Sequence, residues 1–557
     1  MPSTPICRRA SRVLLKLEQL RTHLQTGGQT IRAVEDVSFE IERGETFCLV
    51  GESGSGKSVT ALSIMQLLPA EIASHPSGQI LFDHRHDDES HTTVDMLRQD
   101  EQALQQIRGA RIAMIFQEPM NSLNPVFTIG EQIAEALQLH WPNMTEAEAQ
   151  ERAIEALRQV QIPEPEQRVH EYPHRLSGGQ RQRAMIAMAM ACEPDLLIAD
   201  EPTTALDVTV QAEILRLMKA LQAKNGMGIL FITHDFGVVS EIADKLAVMK
   251  EGRIVESGAV QELIRHPQHD YTKKLLAALP ENLQKPARSS AVSDKTVLQI
   301  KELKVHFPVK KGLLRRTVDH IRAVDGVELE LKAGQILALV GESGCGKTTL
   351  GRAILRLTEP TAGTVHFMGQ EITGLKRQQM QPYRRQMQVV FQDPLSSLNP
   401  RLTIATTLTE PMTIHGIGET KEDRIHRAEQ ILEQVQLKPE HLWRYPHQFS
   451  GGQRQRIGIA RALCLDPAFI VCDEVTSALD VSVQAEILQL LLQLRDERQL
   501  ALLFITHNIG VVEYLSDEMA VMFDGKIVER GLTSEVIANP QVEYTRELLA
   551  AVPRMKV

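Results

Sequence analysis

A chain of 557 residues is long enough for more than one domain, and 43% hydrophobic and 24% charged residues are ordinary for globular proteins. The net charge of −10 argues against a general nucleic-acid-binding protein, because such proteins are normally basic. No apolar run reaches the roughly 18 residues of a membrane span, and residues 1–12 contain no apolar core of signal-peptide length. We therefore expect the chain to stay in the cytoplasm.

The chain contains the same set of segments twice. Ile31–Val34 recurs at Ile321–Val324, 290 positions later, whereas Ser177 recurs at Ser450, 273 positions later. A repeat of this length indicates a duplicated domain, since solenoid units are only roughly 20 to 50 residues long. The residues between the copies are rich in Pro, Ser, Ala and charge, as linkers often are. We predict a first domain at 1–285, a linker at 286–295 and a second domain at 296–557.

The first copy is longer than the second in one place. Between Gly51 and Gln117 it has about 15 residues more than the second copy has in the matching interval. This surplus coincides with His84–His91, a polar stretch that contains three histidines. A metal site would need a partner cluster, and none follows in the sequence. We therefore predict an exposed surface loop here.

Both copies alternate between strand-like and helix-like segments, which indicates an α/β fold. Glu131–Arg168 is rich in Ala, Glu, Gln and Leu and predicts a helical subdomain. The predicted strands are Leu15–Leu20, Phe47–Val50, Leu196–Ala199 and Ile229–Thr233 in the first copy, and Leu298–Leu303, Ile336–Val340, Phe469–Cys472 and Leu502–Thr506 in the second.

A phosphate-binding motif follows the second predicted strand of each copy. Gly51–Ser58 and Gly341–Thr348 both match G-x-x-x-x-G-K-[ST]. In this motif, glycines let backbone N–H groups surround the phosphates, the Lys reaches the β- and γ-phosphates, and the hydroxyl binds Mg²⁺. Two matches in register exclude a chance Gly-rich turn. The predicted nucleotide-binding residues are Gly51, Glu52, Ser53, Gly54, Ser55, Gly56, Lys57 and Ser58, and Gly341, Glu342, Ser343, Gly344, Cys345, Gly346, Lys347, Thr348 and Thr349.

Acidic pairs and histidines follow two further strands in each copy. Asp200–Glu201 and Asp473–Glu474 end buried-type strands, so the first acid of each pair can hold Mg²⁺ and the second can polarise an attacking water. Solvated acids at a strand end are the alternative interpretation, but the position of each pair about 125 to 145 residues after a phosphate loop favours a functional role. His234 and His507, each in an Ile-Thr-His sequence, are candidates for contact with the γ-phosphate.

A Ser-Gly-Gly-Gln sequence also occurs in both copies. The run precedes a polar helix-forming segment and predicts a loop at a helix N-terminus, which presents backbone N–H groups and a hydroxyl to an anion. Alone, the same composition is also typical of an ordinary turn. The residues concerned are Ser177, Gly178, Gly179 and Gln180, and Ser450, Gly451, Gly452 and Gln453.

The order of these motifs resembles the nucleotide-binding domain of ABC transporters. In the first copy the order is phosphate loop, Gln117, Ser-Gly-Gly-Gln, Asp-Glu, Ala205–Asp207 and His234. The second copy has the same order, with Gln392, Ala478–Asp480 and His507 at the corresponding places. The resemblance covers nearly the whole chain. It implies an α/β fold of two tandem P-loop NTPase domains, each with a RecA-like mixed sheet core, an antiparallel β subdomain and a helical subdomain.

The same resemblance implies that ATP lies between the phosphate loop of one copy and the Ser-Gly-Gly-Gln loop of the other. One site would combine Lys57, Asp200, Glu201 and His234 with Ser450–Gln453, and the other Lys347, Asp473, Glu474 and His507 with Ser177–Gln180. It also implies that Gln117 and Gln392 serve both catalysis and Mg²⁺ binding, with Ser58, Asp200, Thr348 and Asp473 as the other metal ligands. We predict that both sites hydrolyse ATP.

Further segments are similar to the dipeptide/oligopeptide importer branch of the family. They are Phe116–Pro125, Phe391–Pro400, Tyr172–His174, Tyr445–His447 and the Tyr-Thr…Leu-Leu-Ala-Ala ends of the two copies; residues 307–314 and 440–447 look closest to the glutathione-import type. The branch implies an energy-coupling ATPase at the cytoplasmic face of the inner membrane. Its partners would be two integral-membrane permease subunits and an extracytoplasmic solute-binding protein, and no nucleic acid. A soluble tandem ATPase acting on ribosomes or DNA is the alternative, which the short linker and acidic charge disfavour.

The adenine-binding position departs from the family pattern in the first copy. In the second copy Phe307 corresponds to the aromatic residue that stacks on adenine, whereas the first copy has Leu24 there, with His23 as a weak substitute. Two other departures are Phe449 for the usual Leu of the signature and Val475 for the usual Pro after the acidic pair.

Overall fold

A computed structural model describes residues 13–85, 91–117, 122–203, 206–286, 293–311, 316–477, 479–553 and 555. They form two compact units: one from the described residues of Met1–Leu206, Val210–Leu276 and Pro553–Val557, the other from those of Asp207–Thr209 and Ala277–Val552. The predicted domain limits and linker stay predictions, and residues 287–292 of the linker region lie outside the described residues.

The core of the first unit is a six-stranded sheet with the order β11-β10-β3-β9-β8-β7. Its strands are β3 (Thr46–Val50), β7 (Ile112–Ile115), β8 (Leu196–Asp200), β9 (Gly228–Thr233), β10 (Lys245–Lys250) and β11 (Arg253–Ala259). All neighbours are parallel except β10 and β11, so the sheet is mixed. Short continuous apolar runs such as Phe47–Val50 suit these positions because the central strands are buried on both faces. The predicted strands here are confirmed.

A second sheet in this unit is antiparallel. It consists of β1 (Val13–Thr26), β2 (Gln29–Glu42), β4 (Ala73–Ser74), β5 (Gln79–Arg85) and β6 (His91–Asp95), in the order β2-β1-β5-β6 with β4 beside β1. The predicted surface loop at His84–His91 is wrong at its two ends, because Arg85 pairs with His91 across β5 and β6. The Arg43 guanidinium contacts Asp83 and His91 at 3.1 and 3.2 Å and so joins these two strands. Residues 86–90 lie outside the described part of the chain.

Helices cover the first core sheet and build the predicted helical subdomain. They are α1 (Lys57–Ile64), α2 (Glu101–Ile107), α3 (Ile129–His140), α4 (Glu146–Gln159), α5 (Pro165–Arg168), α6 (Gly178–Met190), α7 (Val208–Asn225), α8 (Phe236–Ile242), α9 (Val260–Arg265) and α10 (Asp270–Ala277), with 3₁₀ turns at Met96–Arg98 and Pro173–Arg175. Thr128 and Thr145 begin α3 and α4 with capping boxes to Glu131 and Glu148. The prediction of helices over Glu131–Arg168 is confirmed.

The second unit repeats both sheets. Its core sheet has the order β17-β18-β19-β14-β20-β21, and its antiparallel sheet the order β13-β12-β15-β16. The strands are β12 (Thr296–Lys311), β13 (Arg316–Lys332), β14 (Ile336–Val340), β15 (Ala362–Phe367), β16 (Gln370–Glu371), β17 (Met387–Val390), β18 (Phe469–Asp473), β19 (Ala501–Ile505), β20 (Glu518–Phe523) and β21 (Lys526–Leu532). Residues 312–315, in the turn of the β12–β13 hairpin, are not described.

The helices of the second unit follow the same order as those of the first. They are α11 (Lys347–Ile354), α12 (Gln381–Gln386), α13 (Pro394–Ser397), α14 (Ile404–Ile414), α15 (Lys421–Gln434), α16 (Gly451–Leu463), α17 (Val481–Arg498), α18 (Ile509–Leu515), α19 (Thr533–Ala538) and α20 (Glu543–Ala550), with 3₁₀ turns at Pro280–Asn282, Pro439–Trp443 and Pro446–Gln448. Among the described residues, no helix combines the length and apolar character that crossing a bilayer requires.

Candidate nucleotide sites

Each phosphate loop joins a central strand of a core sheet to a helix. In the first unit the loop Gly51–Gly56 lies between β3 and α1, and the helix begins at Lys57. Gly56 has a φ of 105°, and a Cβ here would collide with the carbonyl oxygen of Ala33. Only glycine adopts this conformation without strain. Gly346, with a φ of 110°, makes the same turn in the second unit.

The lysine of each loop binds the backbone of its own loop. Lys57 Nζ donates to the carbonyl oxygens of Gly51 and Glu52 at 2.7 and 2.9 Å. Lys347 makes the corresponding two bonds at 2.7 and 2.8 Å. Both side chains are buried. Each ammonium group is thus held within its loop by oxygens of the main chain.

The hydroxyl after each lysine meets the first acid of the acidic pair. Ser58 Oγ donates to Asp200 Oδ1 at 3.1 Å, and Thr348 Oγ1 donates to Asp473 Oδ1 at the same distance. Burial raises the pKa of both aspartates, which are only 6% and 8% exposed. A buried carboxylate beside a hydroxyl is an all-oxygen donor set of the kind that Mg²⁺ prefers. The oxygen atoms of these residues are therefore suited to the predicted role of binding Mg²⁺.

The second acid lies between the predicted glutamine and histidine. Gln117 Nε2 donates to Glu201 Oε2 at 3.0 Å, and His234 Nδ1 lies 3.3 Å from the other carboxylate oxygen. Burial lowers the pKa of His234, but the hydrogen bond and charge of Glu201 outweigh it, so the pKa is raised overall. The hydrogen bond thereby couples the imidazole ring of His234 to the carboxylate of Glu201.

The second unit has the same trio of side chains. Gln392 Nε2 donates to Glu474 Oε2 at 2.6 Å, and His507 Nδ1 lies 3.5 Å from Oε1. Burial raises the pKa of Glu474, but the hydrogen bond and charge of His507, with a smaller contribution from Lys347, lower it overall. In both units the structure brings the predicted glutamine, glutamate and histidine together.

Both glutamates have a left-handed backbone. Glu201 and Glu474 each have a φ of 48°, which is uncommon for a residue with a side chain. The N–H of Glu201 donates to the carbonyl oxygen of Ile232 in β9, and that of Glu474 to Ile505 in β19, both at 2.9 Å. The neighbouring strand therefore holds a strained conformation that turns each carboxylate toward its glutamine and histidine.

The Ser-Gly-Gly-Gln residues form the predicted helix N-termini. Ser177 Oγ accepts from the N–H of Gln180 at 3.2 Å, and Gln180 Oε1 accepts from the N–H of Ser177 at 3.1 Å, which is a capping box for α6. Ser450 and Gln453 repeat it at the start of α16. The two departures near these motifs have core roles, because Phe449 and Val475 are 4% and 2% exposed.

A cavity of about 420 Å³ extends from the phosphate loop of the first unit to its antiparallel sheet. It is lined by Leu24, Ile31, Arg32, Ala33, Ser53, Gly54, Gly56, Lys57, Ser58, Val59, Gln117, Glu201, Glu251 and Gly252. None of the described residues of the Ser-Gly-Gly-Gln loop of this unit is among them. The cavity therefore brings the predicted phosphate-binding, metal-binding and catalytic side chains together with an apolar wall formed by Leu24 and Ile31. The Ser-Gly-Gly-Gln loop of the same copy, called the signature loop below, does not belong to this described lining.

In the first unit Leu24, and not His23, lines the cavity, while the adenine contact itself stays a prediction. Its Nε2 lies 2.8 Å from Glu35 Oε1, and His23 is absent from the described lining of the cavity. Leu24 faces Ile31 across β1 and β2 and lines the cavity in its place. The histidine of the second copy is engaged in the same way, since His306 Nε2 lies 3.1 Å from an aspartate on β13. Each histidine contacts a carboxylate on the adjacent strand, 12 or 19 residues away in sequence. The sequence gave no signal that identifies these carboxylates as partners.

In the second copy the corresponding wall is aromatic. Phe307 on β12 pairs with Ile321 on β13, and the two are 43% and 61% exposed. The register matches that of Leu24 and Ile31, so Phe307 is equivalent in position to Leu24, and its contact with adenine stays a prediction. The wall thus differs between the two copies by a leucine in place of a phenylalanine.

Two contacts of the phosphate loops were not predicted. The turn between β10 and β11 binds the first loop, because the N–H of Gly252 donates to the carbonyl oxygen of Ser55 at 2.9 Å. The Tyr271 hydroxyl donates to Glu52 Oε2 at 3.1 Å. The sequence signals were a repeated acid-Gly turn and the repeated Tyr-Thr ending, but neither indicates a partner. Ala205, Ala478 and residues 118–121 of the predicted motifs lie outside the described residues.

Both copies match known protein families. Residues 34–204 and 324–477 match the ABC transporter family, and residues 255–301 and 528–557 match the C-terminal region of oligopeptide/dipeptide transporters. The chain belongs to the ABC transporter family. Each phosphate loop, acidic pair and Ser-Gly-Gly-Gln sequence falls within a matched region, so the ABC fold class is confirmed for both copies.

Two relatives agree with this assignment over nearly all of this chain. A peptidoglycan transport ATP-binding protein (YejF) of Agrobacterium fabrum is 52% identical over 97% of this chain and 96% of the relative. A glutathione import ATP-binding protein (GsiA) of Salmonella paratyphi A is 48% identical over 98% of this chain and 90% of the relative. A solved dimeric structure of an ATP-binding cassette with ADP and phosphate is 28% identical and covers 44% of this chain and 99% of that chain, with a TM-score of 0.39.

As an ABC protein with this set of relatives, the chain binds ATP and is an ATPase. The relatives are ATP-binding proteins of transport systems, so a soluble tandem ATPase acting on ribosomes or DNA is not favoured. The predicted resemblance to the oligopeptide/dipeptide branch is confirmed, since its C-terminal region occurs at the end of both copies.

Proposed function

We propose that the chain is the energy-coupling ATPase of an importer for peptides or glutathione-like solutes. The observation that carries the proposal is the oligopeptide/dipeptide C-terminal region at 255–301 and again at 528–557, beside relatives named for peptidoglycan transport and glutathione import. The chain would lie at the cytoplasmic face of the inner membrane. Two integral-membrane permease subunits would be its direct partners, and an extracytoplasmic solute-binding protein would deliver the solute.

The two copies would pair head to tail and share their ATP sites. The described lining of the cavity of the first unit includes Lys57, Glu201 and Gln117 but no residue of its own Ser-Gly-Gly-Gln loop. Ser177 Oγ already accepts a hydrogen bond from Gln180 N–H, so its O–H remains available to donate to a phosphate. The positive end of the α6 dipole favours the same anion. Ser177–Gln180 would therefore complete the site of Lys347, and Ser450–Gln453 would complete the site of Lys57.

Within each site, different side chains would bind the phosphates, accept a proton from the attacking water and stabilise the developing charge. ATP phosphates would replace the loop carbonyls as partners of the Lys57 ammonium group. Glu201, oriented by Gln117 and His234, would accept a proton from the water that attacks the γ-phosphate. A ring N–H of His234 would donate a hydrogen bond to the γ-phosphate and so stabilise the negative charge that develops there. Glu474, Gln392, His507 and Lys347 would do the same in the other site.

Mg²⁺ fits the oxygen ligands of both copies. In the first site Ser58, Asp200 and Gln117 would hold it, and in the second Thr348, Asp473 and Gln392. When bound, the metal ion neutralises charge on the β- and γ-phosphates. The hydrogen bond between each hydroxyl and a buried aspartate is the structural observation that supports this ligand set.

Removal of the metal should stop turnover. With excess EDTA we expect no ATP hydrolysis, and added Mg²⁺ should restore it. Asp200→Asn and Asp473→Asn remove one negative ligand each and should raise the Mg²⁺ concentration for half-maximal rate by about tenfold or more, since about 1.4 kcal/mol of lost metal affinity has this effect. Mg²⁺ titration of phosphate release measures both. An unchanged Mg²⁺ dependence in both variants would contradict this ligand assignment.

The apolar wall should contribute more to ATP binding in the second copy, which has Phe307, than in the first, which has Leu24. Phe307→Ala should weaken ATP binding at the second site by about fivefold or more, because base–aromatic stacking contributes roughly 1–3 kcal/mol. Leu24→Phe should strengthen binding at the first site. Equilibrium binding of a fluorescent ATP analogue, with Lys57→Ala or Lys347→Ala present to leave one phosphate loop intact, measures each change. Phe127→Ala is the control, because Phe127 is 48% exposed, much like Phe307, and lies outside the described lining of the cavity. Equal loss from Phe307→Ala and from Phe127→Ala would count against stacking.

Capture from membranes tests the proposed function. The doubly substituted Glu201→Gln/Glu474→Gln chain, tagged and purified in detergent with ATP, should bring down two integral-membrane proteins. The Lys57→Ala/Lys347→Ala chain serves as the control for ATP dependence. Recovery of ribosomes or DNA, with no membrane protein, would overturn the importer assignment.

A further inference from the structure

The C-terminal helix of the first unit contacts the phosphate loop through one tyrosine. Tyr271 lies on α10, is 7% exposed, and donates its hydroxyl to Glu52 Oε2 at 3.1 Å. The carbonyl oxygen of Glu52 accepts one of the two bonds from Lys57. The Lys250 ammonium group lies 5.0 Å from the centre of the Tyr271 ring. The tyrosine is thus fixed between the end of β10 and the second residue of the loop.

The second unit has the same contact with a different partner atom. Here the Tyr544 hydroxyl accepts a hydrogen bond from the backbone N–H of Glu342 at 3.1 Å. The Tyr544 ring packs against Phe523 at a centroid distance of 4.4 Å, and Phe523 is the last residue of β20 as Lys250 is the last residue of β10. Burial raises the pKa of Tyr544 to about 12, so the hydroxyl stays protonated. The two copies therefore keep the contact with the second loop residue, although the bonded atoms differ.

Each tyrosine belongs to an element that the core sheet holds in place. Glu256 on β11 accepts from the N–H groups of Gln268 and His269 at 2.7 and 3.2 Å, just before α10 begins. On β21 of the second unit, Glu529 binds the residues before α20 in the same manner, at 2.7 and 3.2 Å. Apolar residues of both helices are buried. The hydroxyl positions are therefore set by the sheet and helix, not by the phosphate loop.

We propose that Tyr271 and Tyr544 are positioning residues that fix the phosphate loops, so that each C-terminal region sets the ATP affinity of its own copy. The inference rests on ATP binding to these loops, as the proposed function requires. The second loop residue provides a carbonyl oxygen to the lysine, and this lysine must turn to the phosphates when ATP binds. A loop held in place loses less conformational entropy on binding than a free one, which favours affinity. Neither tyrosine needs to touch the nucleotide.

Removing the hydroxyl alone tests this role. Tyr271→Phe in a Lys347→Ala chain, and Tyr544→Phe in a Lys57→Ala chain, keep each ring and leave one phosphate loop intact. We expect the Kd for ATP at that loop to rise about threefold to tenfold, as for one lost hydrogen bond. In the otherwise wild-type chain, KM should rise while kcat stays within about twofold. Unchanged melting temperatures would separate positioning from a general loss of stability.

Tyr383→Phe is the matched control. Its ring packs edge-on against Phe367 of the antiparallel sheet, and no contact of the hydroxyl with a phosphate loop occurs within the described residues. We expect the same chemical change here to leave the Kd for ATP unaltered.

A double-mutant cycle distinguishes the two copies. Because Tyr271 binds the Glu52 side chain, Tyr271→Phe and Glu52→Ala should be non-additive in their effects on Kd. Because Tyr544 binds the backbone of Glu342, Tyr544→Phe and Glu342→Ala should be additive. Failure of the parent single-site chains to bind ATP would overturn the proposed function and this inference together. Normal binding by the parents, with unchanged Kd in both Phe variants, would overturn the inference alone.

Discussion

Arginine in place of Ser177 should abolish nucleotide trapping at the site that contains Lys347 and leave the site of Lys57 able to trap nucleotide. Ser450→Arg should have the opposite effect. The reason is the composition of the first cavity, whose described lining includes Lys57, Gln117 and Glu201 but no signature residue of the same copy. A guanidinium group at the helix N-terminus would fill the space that a γ-phosphate needs and remove the serine hydroxyl.

Site-resolved trapping decides between the copies. A photoreactive ATP analogue is trapped with vanadate and cross-linked, and the labelled peptides are assigned to the wall around Leu24 or around Phe307. We expect Ser177→Arg to reduce label at the Phe307 wall at least tenfold. Label lost instead at the Leu24 wall would contradict head-to-tail pairing.

Thr145→Arg controls for the loss of a helix cap. Thr145 begins α4 with the same type of capping box and is exposed, as Ser177 is at the start of α6. Either substitution should cost about 1 kcal/mol of stability from the lost cap. Only the Ser177 variant should change trapping. Equal effects of both substitutions would mean that the signature serine acts through stability.

Glu201→Gln and Glu474→Gln should each remove at least half of the ATP turnover, and the double variant should fall at least 100-fold. A general base contributes roughly 10²- to 10⁴-fold to such a reaction. Glutamine keeps the size of the side chain and can still bond to Gln117 or Gln392, but it cannot accept a proton or pair with the histidine as an anion. ATP should still bind, because the substitutions leave Lys57, Lys347 and the rest of each phosphate loop unchanged.

Phosphate release and ATP binding, measured on the same samples, test this expectation. Glu193→Gln is the matched control, since Glu193 is exposed, has a φ of 51° like the two glutamates, and does not line the described cavity. It should leave turnover unchanged. If one of the two single substitutions left the rate untouched, the prediction that both sites hydrolyse ATP would be wrong.

The elements of the site could be predicted from the sequence because each of them has a local sequence signal. A strand that runs into Gly51–Ser58, or one that ends at Asp200–Glu201, is visible in a few consecutive residues. The carboxyl ends of the parallel strands then meet at one edge of the sheet, which brings the motifs together. Repetition of the whole set in the second copy made the assignment firm. The fold class could therefore be predicted from the sequence, and so could the residues that each copy contributes to its nucleotide site.

Contacts between distant residues could not be predicted in the same way. The pairing of His23 with Glu35 depends on the register of β1 and β2, and bulges shift that register in several places. His84–His91 reads as a polar loop, but its ends pair as strands around the buried Asp83. Tyr271 meets Glu52 across 219 residues of sequence. Such contacts are set by packing, and the residue types alone name no partner.

Uptake by cells tests the central claim most directly. A strain from which the gene for this chain is deleted is supplied with labelled glutathione, di- and oligopeptides and peptidoglycan-derived peptides. We predict that uptake of at least one of these solutes is lost, that the intact chain restores it, and that the Glu201→Gln/Glu474→Gln chain does not. Unchanged uptake of every peptide-type solute, together with a defect in translation or DNA repair, would contradict the account.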